Sequence, residues 1–313
     1  MPTAPALIVV GLPRSSSSFL AHVLSTLDDL WVFDDLYVVQ KARALTLGPM
    51  SDDQLRFFVD RLAWETRAKI TWQKGFGGPD LTLHDVDALE ARFLAEHLGT
   101  APRWFHVTEA WVGHVAAANH CSRWGYKTPQ DFLHLDFLHE VWPTTRFVHL
   151  VRDPREVMQS YKNLVAAPGS DGDPRSYHPI AYALYWRMSQ RRVRVAQQTP
   201  TLRIETVRFE DLTRNPDRVA ARLAAFLDTT ATRPVNVDRY NTSAPTGKNA
   251  APRPRRRLTD TERWICEKLA AKKMIEAGYP PGPARPRLRD VPELLRVTLG
   301  FGCFHLQRAV TDR

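Results

Sequence analysis

The chain has 313 residues, 43 Lys and Arg against 34 Asp and Glu, and a formal net charge of +9 with His neutral. That balance suits an anionic ligand, an anionic acceptor or nucleic acid, and 43% hydrophobic residues are enough to bury a substantial core. Three cysteines, Cys121, Cys266 and Cys303, are too few and too scattered for a disulfide framework and favour a reducing compartment.

Targeting and partner signals are also sparse. The segment Met1-Pro2-Thr3-Ala4-Pro5 lacks the basic start of a signal peptide, and no stretch approaches the roughly 18 apolar residues of a membrane span. A soluble cytoplasmic protein is expected. The late clusters Arg253-Pro254-Arg255-Arg256-Arg257 and Arg285-Pro286-Arg287-Leu288-Arg289 contain prolines and read as loops. With no zinc-finger spacing, basic zipper or RNA-recognition signature, no specific nucleic-acid partner is expected.

In chain order, Leu7-Ile8-Val9-Val10 reads as a buried strand, Gly11 to Arg14 as a tight turn, and about 16–27 as a helix with a hydroxyl-rich start. Such a junction aims free backbone N–H groups and the positive helix end at one spot, which suits a phosphate; the alternative is an ordinary capped helix. The triphosphatase pattern G-x-x-x-x-G-K-[ST] laid on Gly11 puts Ser16 at the second Gly and Ser17 at the Lys. The lysine that reaches the terminal phosphates is therefore missing.

Leu30-Trp31-Val32-Phe33 is a second strand candidate ending at Asp34-Asp35, and residues 36–120 read as mostly helical. Ser122 to Lys127 leads into a helix carrying Phe132, Leu135, Leu138 and Val141. Arg146 to Val151 is a strand, and Asp153 and Pro154 start a helix reaching about Leu164. A helix over about 178–198, a strand over 202–209 and a helix over 216–227 follow. Residues 240–257 read as a mobile loop and Thr259–Ala277 as a helix. The tail, 291–310, reads as an amphipathic helix broken by Gly300 and Gly302, packed on the body or on a second subunit as a homodimer contact. Strands alternating with helices predict an α/β fold: a P-loop-like central parallel sheet flanked by helices, in one domain over 1–313.

Four segments, in order, resemble a sulfotransferase that uses 3′-phosphoadenosine-5′-phosphosulfate. Gly11-Leu12-Pro13-Arg14-Ser15-Ser16-Ser17-Ser18 is similar to the family's 5′-phosphosulfate loop, commonly G-x-P-R-S-G-T-T. Val148 to Ser160 is similar to its 3′-phosphate motif, with Arg152 and Ser160 eight positions apart. Gly125-Tyr126-Lys127-Thr128-Pro129 and Val207-Arg208-Phe209-Glu210-Asp211-Leu212 match blocks of bacterial members and of tyrosylprotein sulfotransferases. Ser16 replaces the usual Gly, and Phe209 stands where many relatives have Tyr.

The resemblance implies that Arg14, Ser15, Ser16, Ser17 and Ser18 bind the 5′ end of the donor and that Arg152 and Ser160 bind its 3′-phosphate. Phe209 stacks or belongs to the core. Ser243 and Lys248 fall where relatives close over the nucleotide, and Arg255 to Arg257 either meet the 3′-phosphate or form a solvated charge run. Catalysis is assigned to Asp35 as base, with Asp34 the alternative and His106 or His120 in reserve, and to Lys127 and Arg14 as charge stabilisers. No metal is expected. Residues 36–120 would form the helical acceptor-binding insertion for a small-molecule hydroxyl or phenol. Adenosine 3′,5′-bisphosphate (PAP) would be the product of the donor (PAPS). A small-molecule kinase and a non-catalytic nucleotide-binding protein are the competing readings.

Overall fold

The computed structural model describes residues 3–41, 47–73, 76, 80–165, 173–235 and 257–311. Ser243 and Lys248, with Arg255 and Arg256, lie outside the described residues. The strands are β1 (Leu7–Gly11), β2 (Leu30–Asp34), β3 (Arg123–Lys127), β4 (Arg146–Val151) and β5 (Ile204–Arg208). Helices α1 (Ser17–Leu24) and α2 (Val38–Lys41) flank β2; α3 (Asp52–Trp72), α4 (Leu83–His97) and α5 (Trp104–Ala118) precede β3. Then come α6 (Leu135–Val141), α7 (Pro154–Val165), α8 (Pro179–Ala196), α9 (Phe209–Arg214), α10 (Pro216–Phe226), α11 (Asp260–Glu276) and α12 (Val291–Thr311).

The five strands form one sheet in the order β2-β3-β1-β4-β5, and every pairing is parallel. Parallel strands need crossover helices, which cover both faces and leave the strands apolar throughout. All five residues of β1 and of β2 are accordingly buried. One face packs on α1 and α10 through Leu20, Val23, Val219 and Leu223; the other packs on the helices of the 36–120 region and on α8. Trp111 and Trp186 anchor that second face, and the Trp111 indole donates to Thr66 Oγ1 at 3.0 Å. Ser51 and Gln54 form a capping box on α3, as do Thr82 and Asp85 on α4.

One reading is incomplete and one needs correction. Arg123–Lys127, read only as leading into a helix, is itself a strand, β3, between β2 and β1; the 3-10 turn Pro129–His134 and α6 follow it. Its Gly125 is required by close approach, since a Cβ there would lie 2.7 Å from the carbonyl oxygen of Leu7 on β1. The tail helix is continuous through Gly300 and Gly302. It lies on the body, where the Thr298 hydroxyl meets His178 Nε2 at 3.1 Å and Arg175 donates to Gln307 at 2.8 Å.

The strand order reverses between β1 and β4: the chain leaves β1 toward β2 and leaves β4 toward β5. Open α/β sheets bind ligands in the crevice beyond the carboxyl ends of strands at such a switch point. The loops from β1 into α1 and from β4 into α7 both open there.

Candidate functional site

β1 ends at Gly11, where a Cβ would sit 2.5 Å from the carbonyl oxygen of Leu150 on β4; only glycine lets the two strands close up. The following turn puts Arg14 and Ser16 in the left-handed region, at φ 69° and 70°. Backbone that alternates hand this way gathers N–H groups into an anion-binding concavity. Ser15 is buried and its N–H is used by Leu12 O at 3.1 Å, whereas Ser17 and Ser18, first in α1, have no helical acceptor for theirs. Ser16, the N-cap, makes no side-chain cap bond. It stands in the conformation that glycine adopts freely, so the departure from the family loop is a strained one.

Arg152 follows the last residue of β4 and reaches into this turn. One of its terminal nitrogens donates to Arg14 O at 3.3 Å and approaches Ser16 Oγ at 3.5 Å. Its guanidinium lies 4.2 Å over the Phe209 ring, so Phe209 serves as a platform for the arginine. The Trp186 indole pins the Arg152 carbonyl at 2.9 Å. Burial pushes the Arg152 pKa down from its ordinary value, and its Nε is buried without a hydrogen-bond partner among the described residues. A buried cationic donor left open is costly unless an anion completes it.

α7 starts as its sequence predicts, with Pro154 first and the Asp153 carboxylate accepting from Arg155 N at 2.9 Å. Two turns on, Ser160 Oγ accepts from Arg14 Nε at 3.2 Å. Arg14, Ser16, Arg152 and Ser160 therefore form one cluster, with the Arg14 guanidinium turned toward the Ser160 hydroxyl and that of Arg152 toward the Ser16 hydroxyl.

The second cluster stands at the ends of β2 and β3. Asp34 and Lys127 are register partners across the pair. Lys127 Nζ lies 2.7 Å from Asp34 and also hydrogen-bonds Asp35, with only 2% of the lysine side chain exposed. The chain turns sharply here: Asp35 and Tyr37 have φ 60° and 51°, Asp35 N donates to Lys127 O at 2.9 Å, and Tyr37 N to Thr128 Oγ1 at 2.9 Å. The Asp35 side chain is about one-third exposed, against 13% for Asp34, so Asp35 is the more accessible carboxylate of the two.

Two further residues join this cluster. Lys69 of α3 approaches the other oxygen of Asp35 at 3.7 Å. Tyr37 packs beside Asp35; its burial, and then that carboxylate, push the phenol pKa well up. Nothing in the helical periodicity of α3 marks Lys69. Tyr161, next to Ser160 on α7, has its phenol pKa pushed up by burial, and both Arg14 of the first cluster and Tyr37 of the second are among the groups that act on it. Its ring packs on Tyr182 at 4.0 Å between centroids.

The reserve histidines stand elsewhere. His120 is exposed, lies 3.5 Å from Asp80, and precedes the amino end of β3, the end opposite to Lys127. His106 is exposed beside Phe105. Arg257 is exposed, and its carbonyl accepts from Lys162. Among the described residues, no three His, Cys, Asp or Glu side chains gather where a metal ion would fit, and no helix is long and apolar enough to cross a membrane.

Comparison with known proteins bears on this geometry. A family model described as the sulfotransferase family matches residues 5–233. The chain is similar to the sulfotransferase domain of the olefin synthase of Synechococcus PCC 7002, with 18% identity, TM-score 0.54, and coverage of 87% of this chain and 94% of that one. It is also similar to the sulfotransferase domain from the curacin biosynthetic pathway, with 17% identity, TM-score 0.50, and coverage of 96% and 99%. At these identities the likeness to solved structures is one of fold. No curated protein sequence matches the chain.

Proposed function

Because the chain belongs to the sulfotransferase family, we propose that it moves a sulfuryl group from 3′-phosphoadenosine-5′-phosphosulfate to a hydroxyl or phenol of a small-molecule acceptor. The observation that carries this reading is the convergence of Arg14 and Arg152 on the hydroxyls of Ser160 and Ser16, with Arg152 Nε buried and open. A donor with anions at both ends needs two strand-to-helix junctions side by side, and the ends of β1 and β4 are adjacent.

The turn from Arg14 to Ser18 holds the 5′ end, with Arg14 facing the charge that shifts onto the leaving phosphate. Arg152 and Ser160 hold the 3′-phosphate, and Phe209 keeps the Arg152 guanidinium flat for bidentate contact. Ser243 and Lys248 are assigned to nucleotide binding by the resemblance alone. Asp35 takes the proton from the acceptor oxygen as that oxygen bonds to sulfur and the bridging oxygen leaves with its phosphate. Lys127, fixed between Asp34 and Asp35, orients the base and faces the developing charge. Lys69 and Tyr37 hold the other side of Asp35. Residues 36–120 roof the acceptor in a single catalytic domain.

The test is transfer of labelled sulfate from the donor to a panel of phenols and hydroxylated metabolites, with wild type and Asp35→Asn in parallel. Labelled product with wild type, reduced roughly 10²- to 10⁴-fold in Asp35→Asn, is the expected result for a general base. Equal turnover in the two removes Asp35 from that role.

A further inference from the structure

The outer surface between α8 and α11 carries a groove of about 510 Å³ that the transfer chemistry does not use. Its floor includes Leu184 and Met188, and with Ile180 these form a row at successive turns of α8, each between 36% and 40% exposed. Arg187, Arg191, Lys268 and Lys272 rim it, and no acidic residue is among its lining. Arg187 donates to the Leu269 carbonyl at 3.2 Å, across the groove. Arg191, Lys268 and Lys272 are exposed and have no ion-pair or hydrogen-bond partner among the described residues. Glu276, one turn beyond Lys272, is already held by Arg194 and Lys273.

We propose that this groove docks a partner protein through an acidic amphipathic helix, whose apolar side chains lie along Ile180, Leu184 and Met188 and whose Glu and Asp side chains meet Arg191, Lys268 and Lys272. Spacing favours a helix, because anchors repeating every turn match a floor that repeats every turn. Charge favours an acidic one, because three cations on one rim stand without carboxylates and would steer such a partner in from solution. Nucleic acid has no use for an aliphatic floor, and the groove lining offers no aromatic ring on which a base would stack. An anionic membrane surface, which also meets cations beside an apolar row, is distinguished by the vesicle probe below. The inference stands apart from the transfer reaction, since it concerns binding at a different surface.

Fluorescence anisotropy tests it with a labelled synthetic 18-residue peptide, apolar at every third or fourth position and Glu-rich on the flanks, titrated with the full-length protein. A scrambled peptide of the same composition, anionic phosphatidylglycerol vesicles and a single-stranded oligonucleotide serve as competing probes. The proposal predicts saturable binding of the ordered peptide, weakened at least tenfold by scrambling, by raised salt, and by the double variant Arg191→Glu/Lys272→Glu. Leu184→Asp abolishes the binding as well. Both variants change exposed side chains, and an unchanged thermal midpoint and unchanged transfer activity verify that the fold is kept. Absence of binding, equal binding of the scrambled peptide, or preferential binding of vesicles or oligonucleotide at the same residues overturns the proposal.

Discussion

Arg14 donates from Nε to the hydroxyl of Ser160, 146 residues away, and so joins the turn after β1 to the helix after β4. Arg152 completes the link by donating to the Arg14 carbonyl. Each turn alone is a helix start that many proteins contain. Joined, they are two linked helix starts at adjacent strand ends, the arrangement that the proposed two-ended donor would need where a single phosphate would need one.

Lys127 is expected to matter for stability as well as turnover. Removing it leaves Asp34 and Asp35 side by side without their shared cation, and breaking a buried pair typically costs about 3–5 kcal/mol. Lys127→Met should lower the thermal midpoint by on the order of 10 °C and nearly abolish transfer. Adding Asp34→Asn should recover part of the midpoint and none of the activity. Scanning calorimetry of the three chains checks this; a midpoint unmoved by Lys127→Met contradicts it.

His149 predicts a particular acid sensitivity. It is fully buried in β4 with both ring nitrogens unpartnered among the described residues, and burial lowers its pKa from 6.5 to about 4. Between those two values the unfolded chain binds a proton that the native chain does not. The neutral form's contribution is therefore whole above about pH 6.5 and is lost as pH falls toward 4, amounting to roughly 3 kcal/mol. Denaturant melts of His149→Leu at pH 5 and pH 7 should show a smaller loss between them than wild type; an equal loss counts against this account.

Ser16 holds a left-handed conformation for which a side chain is unfavourable by about 1–2 kcal/mol. Glycine removes that strain but adds backbone freedom to the unfolded chain, so Ser16→Gly should stabilise by under about 1 kcal/mol. Affinity for adenosine 3′,5′-bisphosphate should be kept, because the backbone N–H groups make the cradle. Urea melts and calorimetry read both quantities, and a destabilised Ser16→Gly protein would show that the serine hydroxyl outweighs the strain.

Sequence patterns made the junctions legible because their signals are local. Apolar runs end at Gly11 and Val151, and Asp153-Pro154 writes a helix start into two residues. β3 was not legible as a strand. Arg123, Gly125 and Lys127 break its apolar pattern, and its place follows from contacts with β1 and β2 that no window of sequence contains. Asp35 and Lys127 were singled out by the family resemblance, whereas Lys69 and Tyr37 join them only because α3 and the left-handed turn at 35–37 bring them to the end of β2. The tail glycines looked like breaks because a helix disfavours glycine, yet the helix runs through both and anchors at Arg175 and His178.

The paired anion site is tested most directly by titration calorimetry with adenosine 3′,5′-bisphosphate, against adenosine 5′-monophosphate and magnesium ATP, on wild type and Arg152→Ala. The account predicts that the bisphosphate binds wild type more tightly than either comparator. Arg152→Ala should weaken that binding by roughly 10- to 100-fold, the worth of a charge-assisted contact of about 1.5–3 kcal/mol. Tighter binding of magnesium ATP, or bisphosphate affinity unchanged in Arg152→Ala, would contradict it.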